Sequence, residues 1–157
     1  MIKIRPQTFE TNSSSSHALV IAKASSDYKT LLPDENGKIV IEDDVFGHGH
    51  ESTDKLRRTY DPALKTTYLV TFILNHEESR VDEYTDRLKH VIMKHTGATL
   101  VEFVHNDGNI DHNSVDIQTD VLSDDNKLKE FIFGTNSYLR IASVGDDYDE
   151  DEGEDVK

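Results

Sequence analysis

The chain has no cysteine and no long apolar run. Among its 157 residues the absence of cysteine excludes disulfides, thiolate metal ligands and a cysteine nucleophile. No apolar stretch approaches the roughly 20 residues that span a membrane, and residues 1–6 lack the apolar core of a signal peptide. We therefore expect a cytoplasmic protein that does not associate with membranes.

Basic residues are scarce. Lysine and arginine number 17 against 31 aspartates and glutamates, which gives a net charge of −14. Such a chain repels phosphate backbones, so we expect no direct binding to nucleic acid. An acidic surface can instead be steered to a basic protein partner.

Half of the net charge lies in the last twelve residues. Residues 146–157 contain eight carboxylates and one lysine, with too few apolar side chains to fold alone. The sequence therefore predicts a disordered acidic tail after a single domain, residues 1–145, since 157 residues are too few for two full cores.

Most of the expected strands are short apolar or alternating runs, which suit a sheet. They cover residues 1–5, 18–22, 38–42, 99–104 and 138–142. Residues 67–74 are ambiguous. Pro62 behind Asp61 is typical of a helix start, but the β-branched and aromatic residues that follow favour a strand. We predict a strand there.

The clearest helix covers about residues 77–95. Its apolar side chains recur every three or four residues and line one face: Val81, Tyr84, Leu88, Val91 and Ile92. We expect a second, short helix capped by Ser123. The order of elements predicts an α+β domain with a mixed or mostly antiparallel sheet and the main helix packed on one face.

A serine-rich stretch near the start is the first candidate site. Asn12, Ser13, Ser14, Ser15 and Ser16 are followed directly by His17 and an apolar run. Hydroxyls and an imidazole beside a strand can form a polar pocket for a phosphate or a sugar. A turn whose hydroxyls bond their own backbone is the alternative.

A second polar stretch contains Asp111, His112, Asn113 and Ser114. A neighbouring aspartate can orient a histidine for acid–base work, although a surface loop has the same composition. A third stretch around Asn136 is more typical of a turn. His48 and His50 have the spacing of zinc ligands, but the glycines beside them favour a loop, so we expect no metal site.

Three segments together resemble an uncharacterised protein family. They are Phe9-Glu10-Thr11-Asn12-Ser13-Ser14-Ser15-Ser16-His17, Ile110-Asp111-His112 and Asn136-Ser137-Tyr138. The family occurs in phages and low-GC Gram-positive bacteria, and the likeness covers about residues 5–143. The acidic tail and Gly134 depart from its pattern. The resemblance implies a phage-type origin and a site shared by His17 and His112, but no reaction.

Two functions follow as hypotheses. The first is a phage-type accessory protein that binds a host protein with a basic, nucleic-acid-binding surface. The second is a small hydrolase or transferase acting on a phosphorylated or nucleotide substrate, with His17, Asp111 and His112 catalytic. The sequence leaves the oligomeric state open.

Overall fold

The computed structural model describes residues 2–4, 15–46, 57–75, 81–110, 115–143 and 154–156. It confirms the α+β class. The elements in chain order are β1 (Ile2–Ile4), β2 (Ser15–Ile21), β3 (Lys38–Glu42), β4 (Val45–Phe46), β5 (Arg57–Thr59), α1 (Pro62–Asn75), α2 (Val81–Thr96), β6 (Leu100–Val104), β7 (Asn109–Ile110), α3 (Val115–Leu122), α4 (Asp125–Phe133), β8 (Tyr138–Ser143) and β9 (Glu154–Val156). No helix within these ranges is long and apolar enough to cross a membrane.

The described strands form one large sheet and two small ones. The large sheet has the order β1-β2-β8-β5-β9, antiparallel except between β5 and β9. The pairs β3–β6 and β4–β7 are parallel. The helix predicted at 77–95 is α2, described from residue 81, and it packs against β6, α1 and α4. Its predicted apolar face is largely confirmed: Tyr84, Leu88, Val91 and Ile92 are buried.

The strand predicted at residues 67–74 is wrong, because this segment is the second half of helix α1. The helix is buried on almost every side, and a helix enclosed in this way has a continuous apolar run rather than a periodic one. Its two buried threonines donate within the helix: Thr66 Oγ1 to Pro62 O at 2.6 Å and Thr71 Oγ1 to Thr67 O at 2.7 Å. Tertiary burial has therefore overridden local strand preference.

The cap of the second predicted helix is one residue later than expected. Asp124, not Ser123, caps α4, with its carboxylate accepting from the backbone nitrogens of Asn126 at 2.8 Å and Lys127 at 3.0 Å. The Ser123 hydroxyl instead donates to Thr119 O on α3 at 2.6 Å.

This difference gives a direct test. We expect Asp124→Ala to lower the free energy of unfolding by about 1 kcal/mol, because two backbone donors lose their acceptor. Ser123→Ala should change it by less than half of that amount. Chemical denaturation of the two variants measures both values. An equal or larger loss in Ser123→Ala would contradict the assignment of Asp124 as the cap.

Three residues of the acidic tail are placed in the large sheet. In β9, Glu154 lies in register with Arg57 and Asp155 with Arg58. The exposed backbone groups of a sheet edge accept a further strand irrespective of its composition. The other residues of the predicted tail, 146–153 and 157, lie outside the described ranges.

Candidate functional site

The structure describes only part of the predicted site. Ser15, Ser16 and His17 open strand β2, and their backbones pair with β8, so these three residues form a strand rather than a turn. Asn12, Ser13 and Ser14 lie outside the described residues, as do Asp111, His112, Asn113 and Ser114. A pocket that joins His17 to His112 therefore stays a prediction.

The described residues do not test the prediction that the chain has no metal site. His48 and His50 fall in the gap between residues 46 and 57. The described side chains include no group of three or more histidines, aspartates or glutamates arranged to hold a metal ion.

Asn136 belongs to a polar network that the sequence did not predict. Its side-chain oxygen accepts from the backbone nitrogen and from the hydroxyl of Ser26, both at 3.0 Å, and its own backbone nitrogen donates to Ser25 Oγ at 3.2 Å. The turn at residues 134–137 is thereby fastened to the segment that follows β2. Asn136 is thus a structural tie within the turn suggested by its sequence.

Glu130 is the centre of this network. Its carboxylate accepts from the hydroxyls of Ser25, Tyr28 (2.7 Å) and Ser137 (3.3 Å). Burial raises the pKa of Glu130, but the hydrogen bonds from Ser25 and Tyr28 outweigh burial and hold the pKa below its ordinary value. The carboxylate is therefore ionised at neutral pH and serves as a common acceptor for three hydroxyls.

The glycine at position 134 is explained by the same carboxylate. A Cβ atom at this position would collide with the Glu130 carboxylate, the Ser25 hydroxyl and the backbone oxygen of Glu130. The backbone of Gly134 is ordinary, with φ of −72°. Glycine is thus required here by space and not by conformation.

A buried lysine completes the network. Lys65 of α1 is fully buried, and its Nζ donates to the backbone oxygens of Gly134 at 3.1 Å and Ser137 at 2.9 Å. Burial lowers the pKa of Lys65 to about 7, although the charges of Asp61 and Glu130 oppose the shift. Lys65 joins the first turn of α1 to the turn that precedes β8, a structural role.

One cleft among the described residues is an acidic groove, about 440 Å³ in volume. It lies where β3 ends and α1 begins. Its lining residues are Glu42, Asp43, Asp44, Asp61, Ala63, Leu64, Thr67 and Asn106. We call this set the acidic groove. Four carboxylates thus meet in one concavity beside the apolar side chain of Leu64, which is 37% exposed.

Asp43 is the buried anchor of the acidic groove. Its carboxylate lies 2.5 Å from His105 Nδ1 and accepts from the backbone nitrogen of Asn106 at 2.6 Å. Burial raises the pKa of Asp43, but the hydrogen bonds from Asn106 and His105 outweigh burial and hold the pKa below its ordinary value. Asp43 fixes the β3–β4 link against the turn after β6, and it stays ionised.

The outer carboxylates of the groove are fixed by local donors. Asp61 Oδ1 accepts from the backbone nitrogen of Ala63 at 3.2 Å, as expected of a helix cap. Glu42 accepts from the side-chain amide of Asn106. Within the described part of the chain, neither Glu42 nor Asp61 forms a salt bridge with lysine or arginine. The charge of Asp61 also acts on the buried Lys65, and both carboxylates line the groove.

Neither protein-family models, nor curated protein sequences, nor solved structures give a match to this chain. The functional argument therefore rests on the chemistry of the groove. Sequence reasoning missed the groove because its acidic residues come from two separate segments. The run Glu42-Asp43-Asp44 at the end of a predicted strand was the one visible signal.

Proposed function

We propose that this chain acts by binding a partner protein with a basic surface, and that the acidic groove is where lysine or arginine side chains of the partner dock. The observation that carries the proposal is the meeting of four carboxylates in one concavity of about 440 Å³. The net charge of −14 would add attraction at longer range.

The geometry suits a basic peptide segment more than a single ion. The Asp43 carboxylate is already engaged by His105. Glu42, at the end of β3, and Asp61, before α1, both line the groove and supply the carboxylates for docking. Leu64 offers apolar surface for the methylene stem of a lysine or arginine, whose charged head would reach the carboxylates. Arginine would add bidentate hydrogen bonds to a carboxylate.

The proposed setting comes from the family resemblance. A phage-encoded protein with an acidic groove would meet host proteins in the bacterial cytoplasm, and those that bind nucleic acid carry basic surfaces. Such a partner would use the same basic side chains for the acidic groove as for phosphates. Binding here would then compete with the partner's nucleic acid.

An affinity measurement with charge-matched variants tests this function. The probe is a fluorescently labelled peptide of 15 residues rich in arginine and lysine, followed by anisotropy at 0.01–0.15 M salt. We expect Glu42→Gln with Asp61→Asn to weaken binding roughly tenfold at low salt, because two docking charges are removed. The loss should shrink at 0.15 M, where the Debye length falls from ~30 Å to ~8 Å.

The control removes the same charge elsewhere. Glu35→Gln with Asp86→Asn alters two exposed carboxylates, one in the turn before β3 and one on α2. This pair should weaken binding by at most about threefold, which is the effect expected from the change in net charge alone. Equal losses in both pairs would mean that the peptide reads net charge, and the groove would lose its role.

A further inference from the structure

A second cleft, far smaller and of opposite character, lies between the segment after β2 and the ends of two helices. Its volume is about 130 Å³. The lining residues are Tyr28, Lys29, Thr30, His95, Lys129 and Phe133. We call this set the basic cleft. It shares no residue with the acidic groove.

The concentration of positive charge is unexpected in a chain with a net charge of −14. Two lysines and a histidine line one small space. Within the described ranges, none of Lys29, His95 and Lys129 forms a salt bridge with a carboxylate. Lys129 Nζ lies 4.8 Å from the centre of the Tyr28 ring, which holds the ammonium group beside the cleft.

Helix ends account for part of this charge but not for all of it. Both α2 and α4 end at the basic cleft. Each helix C-terminus carries the equivalent of about half a negative charge, which favours cations nearby. However, the nearby terminal carbonyls already have donors. His95 O accepts from Thr30 Oγ1 at 3.2 Å, and Phe133 O accepts from the backbone nitrogen of Lys29 at 2.8 Å. The lysine side chains are thus not needed as donors to these two oxygens.

His95 experiences this field directly. Burial lowers its pKa, and the positive charges of Lys129, Lys94 and His90 lower it further. Lys94 and His90 come from α2 itself and Lys129 from α4, while the segment after β2 contributes Lys29. Among the described carboxylates, that of Glu130 lies near this lining, where it accepts from the hydroxyl of Tyr28.

We infer that the basic cleft binds a single phosphate-sized oxyanion, free or as a phosphomonoester, between Lys29, His95 and Lys129. Ammonium and imidazolium groups form charge-assisted hydrogen bonds to such an anion. The volume admits one tetrahedral group, so the remainder of a phosphomonoester lies outside, against the exposed edge of Tyr28. A bound dianion reverses the field at His95 and makes the protonated imidazole favourable.

Proton NMR of the histidine Cε1 resonances tests this site on the intact protein. The His95 signal is assigned by its loss in His95→Asn. We expect its pKa to rise in the presence of inorganic phosphate, relative to sodium chloride at equal ionic strength. An equal rise in both salts would overturn the site, because it would reflect screening alone.

Two lysines of the same helix separate binding from general charge. Lys129→Met should weaken phosphate binding at least fivefold. Lys127→Met is the matched control, because Lys127 pairs with Asp120 at 2.9 Å outside the basic cleft, and it should leave phosphate affinity unchanged. Equal effects of the two variants would refute the assignment, as would a Lys129→Met variant that loses stability but keeps its phosphate affinity.

A third arm identifies the source of the anion. Adenosine 5′-monophosphate is titrated under the same conditions as inorganic phosphate. Tighter binding of the nucleotide, with the same dependence on Lys129, identifies a phosphomonoester ligand. Binding of phosphate with exclusion of the nucleotide identifies free phosphate. Absence of binding by either one contradicts the inference.

Discussion

Replacing Glu130 with alanine is expected to lower the free energy of unfolding by roughly 3 kcal/mol. The change removes the acceptor shared by Ser25, Tyr28 and Ser137. Hydrogen bonds to an ionised group contribute about 1.5–3 kcal/mol each, but the same change relieves the cost of burying the carboxylate, so the net loss is well below their sum. Ser137 is fully buried, so its hydroxyl proton would find no water in exchange. Tyr28 is 45% exposed and should contribute least.

Chemical denaturation near pH 7 measures this loss. Asp86→Ala is the control, because it removes an exposed carboxylate from α2 and should change the stability by less than about 0.5 kcal/mol. The pH dependence is a second check. Because the pKa of Glu130 is lowered by folding, its contribution is present above the unfolded pKa and is lost as the pH falls through the folded pKa. A Glu130→Ala variant with wild-type stability would show that the network is dispensable.

Lys65 is expected to give the protein an unusual rise of stability with pH. Its pKa is about 7 when folded and about 10.4 when unfolded. Between these values the unfolded chain binds a proton that the folded chain does not. The free energy of unfolding should therefore increase by up to ~1.4 kcal/mol per pH unit in this window. Below pH 7 both states are protonated, and the cost of burying the ammonium group is fully present.

Comparison with Lys65→Met isolates this effect. The variant should lack the additional slope between pH 7 and pH 9, a difference of roughly 2–3 kcal/mol over two pH units. It also leaves Gly134 O and Ser137 O without their donor, so its absolute stability is a poor guide. The 13Cε chemical shift of Lys65 in the wild-type protein reports the pKa without any substitution. A midpoint above pH 10 would contradict the prediction.

The parts of the fold that sequence predicted well are those with a local signature. The five predicted strands near 1–5, 18–22, 38–42, 99–104 and 138–142 each overlap an observed strand, because their short apolar or alternating runs end at turns. Helix α2 has a polar side and an apolar side, so periodicity alone identified it. Helix α1 has no polar side of comparable width, and its β-branched residues favoured the wrong element.

The polar network could not be predicted, since its members are far apart in the chain. Glu130 meets Ser25 across more than one hundred positions, and Lys65 meets Ser137 across 72. In the sequence, Glu130 and Lys65 look like ordinary charged residues on the surface of a helix. Only the packing of α1, α4 and the segment after β2 turns them into a buried cluster. The acidic groove could not be predicted for the same reason, because only the fold brings Asp61 and Glu42 into one cleft.

Chemical-shift mapping is the most direct test of the proposed binding function. The 15N-labelled protein is titrated with the basic peptide, and its amide spectrum is followed at 0.15 M salt. We predict that the largest shifts fall at residues 42–44, 61–67 and 105–106, which form or flank the acidic groove. Shifts confined to the acidic tail, or spread evenly over the surface, would contradict the assignment of the groove as the binding site.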